Sequence, residues 1–430
     1  MGIILILVSS ALIHYAVAGK NDCYKGYTVH SVELSDRSHS KLLQRLEIEM
    51  DLDTWQYGAV GQREAIIMVS PENRVAFLDL LDEHGLKHYL YLNDVVQALD
   101  KHDEELIHWK RSRMNLVPFE DYPQYAEVDA YLERIAREYP NLVTLVNSGP
   151  SFEGRPVKYL KISTTNFEDH SKPIYFIDAM IHAREWVTTP VALYAIHRLV
   201  EDLRDSERDL LENSDWIILP IVNPDGYEYS HTDMRLWRRT RSFNPEISEN
   251  CYGVDGNRNF NYSWAEFGVS SNPCSDTYPG PDPFSEVEIR YVRDILHEYV
   301  DRIQLYLDIH SFGNYVLFPY GEGILPTNAA QIHHIGSLMG ASIDAHKLPT
   351  AGYYIVGNSG LVLYPASGCA DDYAQSVGVP ISLCLELPAY GFDFRVPPSY
   401  IEQINKETWE GIVVSARWAL QHYKARIQNS

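Results

Sequence analysis

PIYFIDAMIHAREW, residues 173–186, runs apolar almost to its end and there delivers His182 and Glu185, three positions apart. The Ile, Tyr and Phe residues at its start read as a strand, and the near-continuous apolar pattern as one buried on both faces. Strands of that kind belong to parallel sheets covered by helices, and ligands collect at their carboxyl ends. An imidazole and a carboxylate at this spacing can close on one Zn²⁺ from a single turn of backbone. They need a third ligand from elsewhere and an open coordination position.

The spacing alone decides little. Among 17 histidines about one HxxE match arises by chance, and two others are present. His30 and Glu33 lie in GYTVHSVEL, where residues three apart on a strand point to opposite faces. His102 and Glu105 lie in DKHDEEL, a charged run that reads as a solvated helix face. Only His182 follows a buried strand and has partners for the rest of a hydrolytic site.

Those partners end other strands. LYLDIHSFG, residues 305–313, places His310 at a strand end, where it supplies the awaited third ligand and completes His₂Glu with one position open. PISLCLELPAYGF, residues 380–392, carries Glu386, a carboxylate at the end of an otherwise apolar strand. Burying an unpaired carboxylate is costly, so such a residue is paired, metal-bound or catalytic. Here it suits a general base that takes a proton from the attacking water. RLWRRTR supplies Arg235, Arg238, Arg239 and Arg241, of which Arg239 and Arg241 read as solvated charge. DGNRNF adds Asn257 and Arg258, a Gly-flanked pair suited to gripping a carboxylate, while another arginine can stabilise an oxyanion.

Outward from the site, residues 122–222 alternate helix and strand: EVDAYLERIAREYPN as helix, then VTLVNSG, PVKYLKIS and PIYFIDAM, a helix from about 190 to 202, and WIILPIV. The fold class expected is α/β, a mixed, mostly parallel sheet with helices on both faces. Residues 20–95 instead alternate short strand and helix signals, the pattern of a small α+β antiparallel domain. A polar helix from about Asp94 to Trp109 follows and ends in Lys110-Arg111-Ser112-Arg113, a basic cluster between two globular segments and a site for proteolytic nicking. The organisation read is 1–18 signal peptide, 19–95 small domain, 96–113 connecting helix and activation segment, and 114–430 catalytic domain.

Composition sets the setting. The 430 residues carry a net charge of −23, which argues against nucleic acid or an anionic membrane as partner. Residues 1–18 combine an apolar stretch with Ala16-Val17-Ala18, a small-residue cleavage site, so the mature product is expected to be secreted and not membrane-bound. Five cysteines in an oxidising compartment leave one over after pairing.

HAREW, NPDGYEYS, LWRRTRS, GNRNF, the strand-end His310, YPASG and the strand-end Glu386 occur in one order. Together they resemble the metallocarboxypeptidases of the carboxypeptidase A/B family, over the whole chain and in secreted zymogen form. The resemblance implies one Zn²⁺ held by His182, Glu185 and His310, with Glu386 as general base and Arg238 as the oxyanion-stabilising arginine. It implies that Asn257 and Arg258 grip the substrate's terminal carboxylate, that Tyr364 closes over it, and that Arg184 serves an outer subsite. It implies a Cys251–Cys274 disulfide, and it sets Cys369 and Cys384 on the wall of the specificity pocket, where two thiols suggest a second bridge that leaves Cys23 unpaired. Phe312 stands where many relatives have Tyr.

By register from Tyr364, Asp371 matches the pocket-floor position that carries Asp in B-type relatives, and Asp372 is read as the cap of the next helix. The partners implied are peptides and proteins with free C-termini, an activating trypsin-like protease and proteinaceous carboxypeptidase inhibitors. The reading is a B-type zymogen that removes C-terminal Lys or Arg. An A-type preference and a non-catalytic peptide-binding relative remain as alternatives.

Overall fold

The computed structural model describes residues 19–113 and 116–429, so the expected signal peptide lies outside the described residues. The first sheet is built from β1 (Thr28–Val32), β2 (Asp53–Gln56), β3 (Ala65–Val69) and β4 (His88–Leu92), in the order β2-β3-β1-β4. All of its pairings are antiparallel. The helices Arg37–Met50 and Arg74–Glu83 cover one face, where Leu43, Leu46, Phe77 and Leu81 meet Val32, Ile67 and Val69. Phe77 is completely buried, and its truncation to Ala would cost about 3–5 kcal/mol.

Along β1 and β3 the side chains alternate, so Val29, Ile66 and Met68 face the other way. With Trp55 of β2 and Val95 and Leu99 of the helix Val95–Ser112, they pack on Leu236 and Phe394 of the larger region. His102, read from sequence as solvated, is buried there beside Tyr122 and Trp186. DKHDEEL is charged on one face of that helix only, and His102 lies on the other.

The second sheet has eight strands: β5 (Val143–Pro150), β6 (Pro156–Ile162), β7 (Ile174–Ala179), β8 (Asp215–Leu219), β9 (Ile303–Ser311), β10 (Tyr315–Phe318), β11 (Ile355–Asn358) and β12 (Ile381–Leu387), in the order β11-β10-β12-β9-β7-β8-β6-β5. Its centre is parallel, β12 with β9, β9 with β7 and β7 with β8, and β10 with β11 is parallel too. The β10–β12, β8–β6 and β6–β5 pairings are antiparallel.

The helices Thr188–Val200, Ala329–His346 and Ile401–Asn429 cover one face, over Ile177, Leu307 and Leu385. The helix Val287–Tyr299 covers the other, over Phe176 and Tyr306. Both faces are covered, which explains the near-continuous apolar runs of β7, β9 and β12. No helix among the described residues is long and apolar enough to cross a membrane.

Candidate active site

β7 ends at Ala179, and the backbone then turns through Met180, held at a φ of 61°, before His182 and Glu185. A left-handed conformation at a buried methionine persists only where its surroundings over-determine it. Asn223 supplies that constraint: its N–H bonds the Met180 carbonyl at 3.1 Å, and its Nδ2 donates to the carbonyls of Ile181 at 3.2 Å and Arg239 at 3.0 Å. NPDGYEYS thus staples the ligand turn to the arginine segment.

His310 comes from the end of β9 and Glu386 from the end of β12, and the two are register partners across the parallel pair. His182, Glu185 and His310 converge with donor atoms within 4.8 Å of one another, all three buried. The two Nδ1 atoms lie 3.1 Å apart, and Glu185 is fixed by an N–H from Ser311 at 2.9 Å. Two imidazoles and a carboxylate are the donor set that suits Zn²⁺, and the rest of the constellation surrounds them.

Asp255 was not singled out from the sequence, yet it organises the site. Its Oδ1 meets His182 Nε2 at 3.0 Å and the Asn257 N–H at 3.0 Å, while its Oδ2 takes Arg238 Nε and Nη2 at 3.1 and 2.9 Å. Burial works to raise its carboxyl, but Arg238 and His182 hold it well below the usual range. Its place immediately before GNRNF was the available signal. Glu386 reaches the cavity with Oε2 lacking a hydrogen-bond partner, and burial, with the neighbouring Glu185 charge, pushes it up to about 8.

Arg258 donates to the Asn257 carbonyl at 2.8 Å, to the Tyr364 hydroxyl at 2.6 Å and to Cys369 Sγ at 3.6 Å. Asp371 is buried and lines the same cavity, with Oδ2 unpartnered. Burial, then the charge of Asp308, pushes it up to about 7.

Several expectations are corrected. The helix after the YPASG loop begins at Ala370, so Cys369 holds the cap position and Asp372 instead accepts the Gly321 N–H at 2.9 and 3.1 Å. Cys251 and Cys274 are bonded as the resemblance implied, closing a separation of 23 residues. Cys369 and Cys384 are free thiols rather than a second bridge: the first turns to Arg258, and the second packs among Ala59, Tyr315 and Leu317. Cys23 is also free, and exposed, so it is one of three free thiols and not the single one left over. Arg239 and Arg241 are not solvated. Arg239 is buried on the Pro273 carbonyl at 2.7 Å, and Arg241 lies over Tyr229 at 3.7 Å.

The small domain closes the site. β2, absent from the sequence reading, lays Thr54, Trp55, Gln56 and Tyr57 along a cavity left with only about 100 Å³. Asp53 pairs with Arg184 at 2.8 and 2.9 Å, and Tyr57 stacks on Tyr364 with ring centroids 3.8 Å apart. Gln44 Nε2 donates to the Pro365 carbonyl at 2.8 Å.

Comparison with known proteins agrees with this geometry. The zinc carboxypeptidase family model matches residues 128–411, and the carboxypeptidase activation peptide model matches residues 30–102. A carboxypeptidase B of Helicoverpa zea is 44% identical over 97% of this chain and 99% of its own. The crystal structure of a carboxypeptidase A from Helicoverpa armigera superposes with a TM-score of 0.89 at 44% identity, covering 93% of this chain and 98% of that one. Bovine thrombin-activatable fibrinolysis inhibitor, in complex with tick carboxypeptidase inhibitor, gives a TM-score of 0.65 at 29% identity over 71% of this chain and 99% of its own. The chain belongs to the zinc carboxypeptidase family and carries that family's activation peptide.

Proposed function

We propose that this zymogen yields a secreted B-type carboxypeptidase, which removes Lys or Arg from the C-termini of peptides and proteins. The observation that carries the specificity is the Asp371 carboxyl, buried on the wall of the cavity that holds the metal triad and Arg258, with one oxygen unpartnered. A basic side chain would satisfy that oxygen, while an apolar one would leave it desolvated. The 44% relatives bear A-type and B-type names alike, so the pocket decides the reading and not the names.

His182, Glu185 and His310 would hold the zinc, which when bound supplies a Lewis-acid charge at the scissile carbonyl. Arg258 and Asn257 bind the terminal carboxylate, displacing the Tyr364 hydroxyl from Arg258. Glu386 takes the proton of the attacking water and later returns it to the leaving amine. Arg238, clamped by Asp255, presents its guanidinium to the developing oxyanion. Arg184 binds substrate further along the cleft once Asp53 has left.

Activation requires removal of the small domain at Lys110 to Arg113. Residues Lys110 to Ser112 close the helix Val95–Ser112, and Lys110 pairs with Asp121 at 3.2 Å, so this last turn must open for a trypsin-like protease. The inhibitor in the bovine complex supports proteinaceous carboxypeptidase inhibitors as a further class of partner. The test is release of C-terminal Lys, Arg or Phe from matched peptides after trypsin treatment, with and without a chelator. Chelator-sensitive release of Lys and Arg is expected; preferential release of Phe would overturn the B-type reading.

A further inference from the structure

Both histidines of the metal triad are backed by a buried aspartate. His182 directs Nε2 at Asp255 at 3.0 Å, and His310 directs Nε2 at Asp308 Oδ2 at 2.8 Å. In each ring the other nitrogen, Nδ1, faces the triad; His310 Nδ1 lies 3.2 Å from Glu185 Oε2. An imidazole that offers one lone pair to a cation carries its hydrogen on the other nitrogen. Nε2 of His310 is therefore a donor.

That nitrogen has two polar neighbours, Asp308 Oδ2 and, at 3.2 Å, Asn257 Nδ2. Asn257 Oδ1 already accepts the Ala370 N–H at 2.8 Å, so the asparagine turns its own donor to the ring. Only Asp308 can take the hydrogen. It stands two residues before His310 on β9, hence on the same face, and Cys384 of β12 and Asp178 of β7 flank it in register. Asp308 is completely buried and its Oδ1 has no hydrogen-bond partner, a costly placement that lacks the three-way engagement seen at Asp255. Tyr306, two residues further back, donates to Asp178 at 2.7 Å and does not relieve it.

We propose that Asp308 is a positioning residue for His310: its carboxylate accepts the Nε2 hydrogen, fixes the ring's rotation and tautomer, and reserves Nδ1 for the metal. This rests on the reading that His310 is a zinc ligand. Loss of such a partner weakens metal binding about 10- to 100-fold.

The test is zinc release from the full-length zymogen to a chromogenic chelator, with melting temperature measured alongside. Asp308→Ala should release zinc about 10 to 100 times faster than wild type. Asp308→Asn, which keeps an acceptor oxygen without the charge, should fall between them. Tyr306→Phe, which disturbs the same buried layer without touching His310, should release at the wild-type rate. Wild-type release from Asp308→Ala overturns the proposal, as does equal acceleration by Tyr306→Phe or an Asn variant no slower than Ala. Should the alanine variant not fold, Asp308→Asn decides: faster release at unchanged melting temperature supports the proposal, and unchanged release overturns it. A wild-type chain that binds no zinc defeats the assignment of the triad itself, a different outcome from stoichiometric zinc with unaltered release.

Discussion

The two regions meet at a small cavity and use polar side chains in opposite ways. In the eight-stranded region they are spent inward: Asp255 engages His182, Arg238 and the Asn257 backbone, and Ser311 fixes Glu185, with nothing borrowed from the small domain. In the four-stranded region Asp53 and Gln44 reach outward, to Arg184 and Pro365, and the Tyr57 ring stacks on Tyr364 while its hydroxyl stays within the domain on Glu47. The site is thus assembled before activation. The small domain covers it and holds Arg184 on Asp53; on the proposed reading this is how it inhibits, because Arg184 would otherwise meet substrate. Variants in the larger region should change chemistry, and variants in the smaller one should change leakage of the uncut zymogen.

The largest effect is expected at Glu386. Glu386→Gln keeps the shape and cannot accept a proton, so turnover of the activated enzyme should fall by about 10² or more. Zinc content by elemental analysis and the rate of trypsin cutting should not change. Near-normal turnover would remove Glu386 from the mechanism, and a changed cutting rate would blur the division between the two regions.

Next comes Asp371. Removing one partner of a buried charge pair costs about 2–5 kcal/mol, so Asp371→Ile should lose about 30-fold or more of kcat/KM on C-terminal Arg and gain on Phe. The wild type should show the same group through pH. Its carboxyl is pushed up to about 7 by burial and by Asp308, so it is neutral below that pH and charged above. The Arg-to-Phe ratio of kcat/KM should therefore rise as pH increases through about 7; the ratio cancels Glu386, which both substrates need. A flat ratio would separate Asp371 from specificity.

What the sequence made legible follows the same division. His182, His310 and Glu386 were readable because each is a polar residue closing an apolar strand, a contrast visible in one dimension. Asp308 shares that context but is enclosed within the apolar run, and its strand face emerges only by counting back two from His310. Asp255 sat in view beside GNRNF without a partner to give it meaning. β2, β10 and β11 are four residues each, too short for any periodicity to declare them. Arg239 and Arg241 looked solvated because charge says nothing of the carbonyls and rings a fold will bring to it.

On the small domain the larger effect is expected at Asp53. Asp53→Ala would leave the buried Arg184 without its main carboxylate, with Asp276 still 3.5 Å away. A charged hydrogen-bonded pair contributes about 1.5–3 kcal/mol, so activity of the uncut zymogen should rise about tenfold or more. Asp53→Glu, which keeps the charge, should restore part of the inhibition. No rise in the Ala variant would mean that burial of Trp55 and its neighbours suffices to hold the lid.

The smallest effect is expected at Tyr57, and it distinguishes covering from charge. The ring stacks on Tyr364, whose hydroxyl occupies Arg258, and its own hydroxyl donates to Glu47 at 2.6 Å. An aromatic pair is worth about 0.5–1.5 kcal/mol beyond its burial, so Tyr57→Ala should raise leakage by about two- to twelvefold. Tyr57→Phe keeps the stack and takes one donor, though not Thr54, from Glu47, whose carboxyl burial already pushes up to about 7. A carboxyl raised in the closed form favours that form fully at pH below its ordinary value, and the preference fades as pH rises toward about 7. Wild-type leakage should therefore increase across that window and level off above it. Because Tyr57 is the stronger of two side-chain donors, with Thr54, that lower Glu47, the phenylalanine variant should shift the window to higher pH with little change in leakage at its acid end. If Tyr57→Phe leaks as much as Tyr57→Ala throughout, the hydroxyl and not the stack holds Tyr364 down, and the small domain would then guard the site by a hydrogen bond rather than by a covering ring.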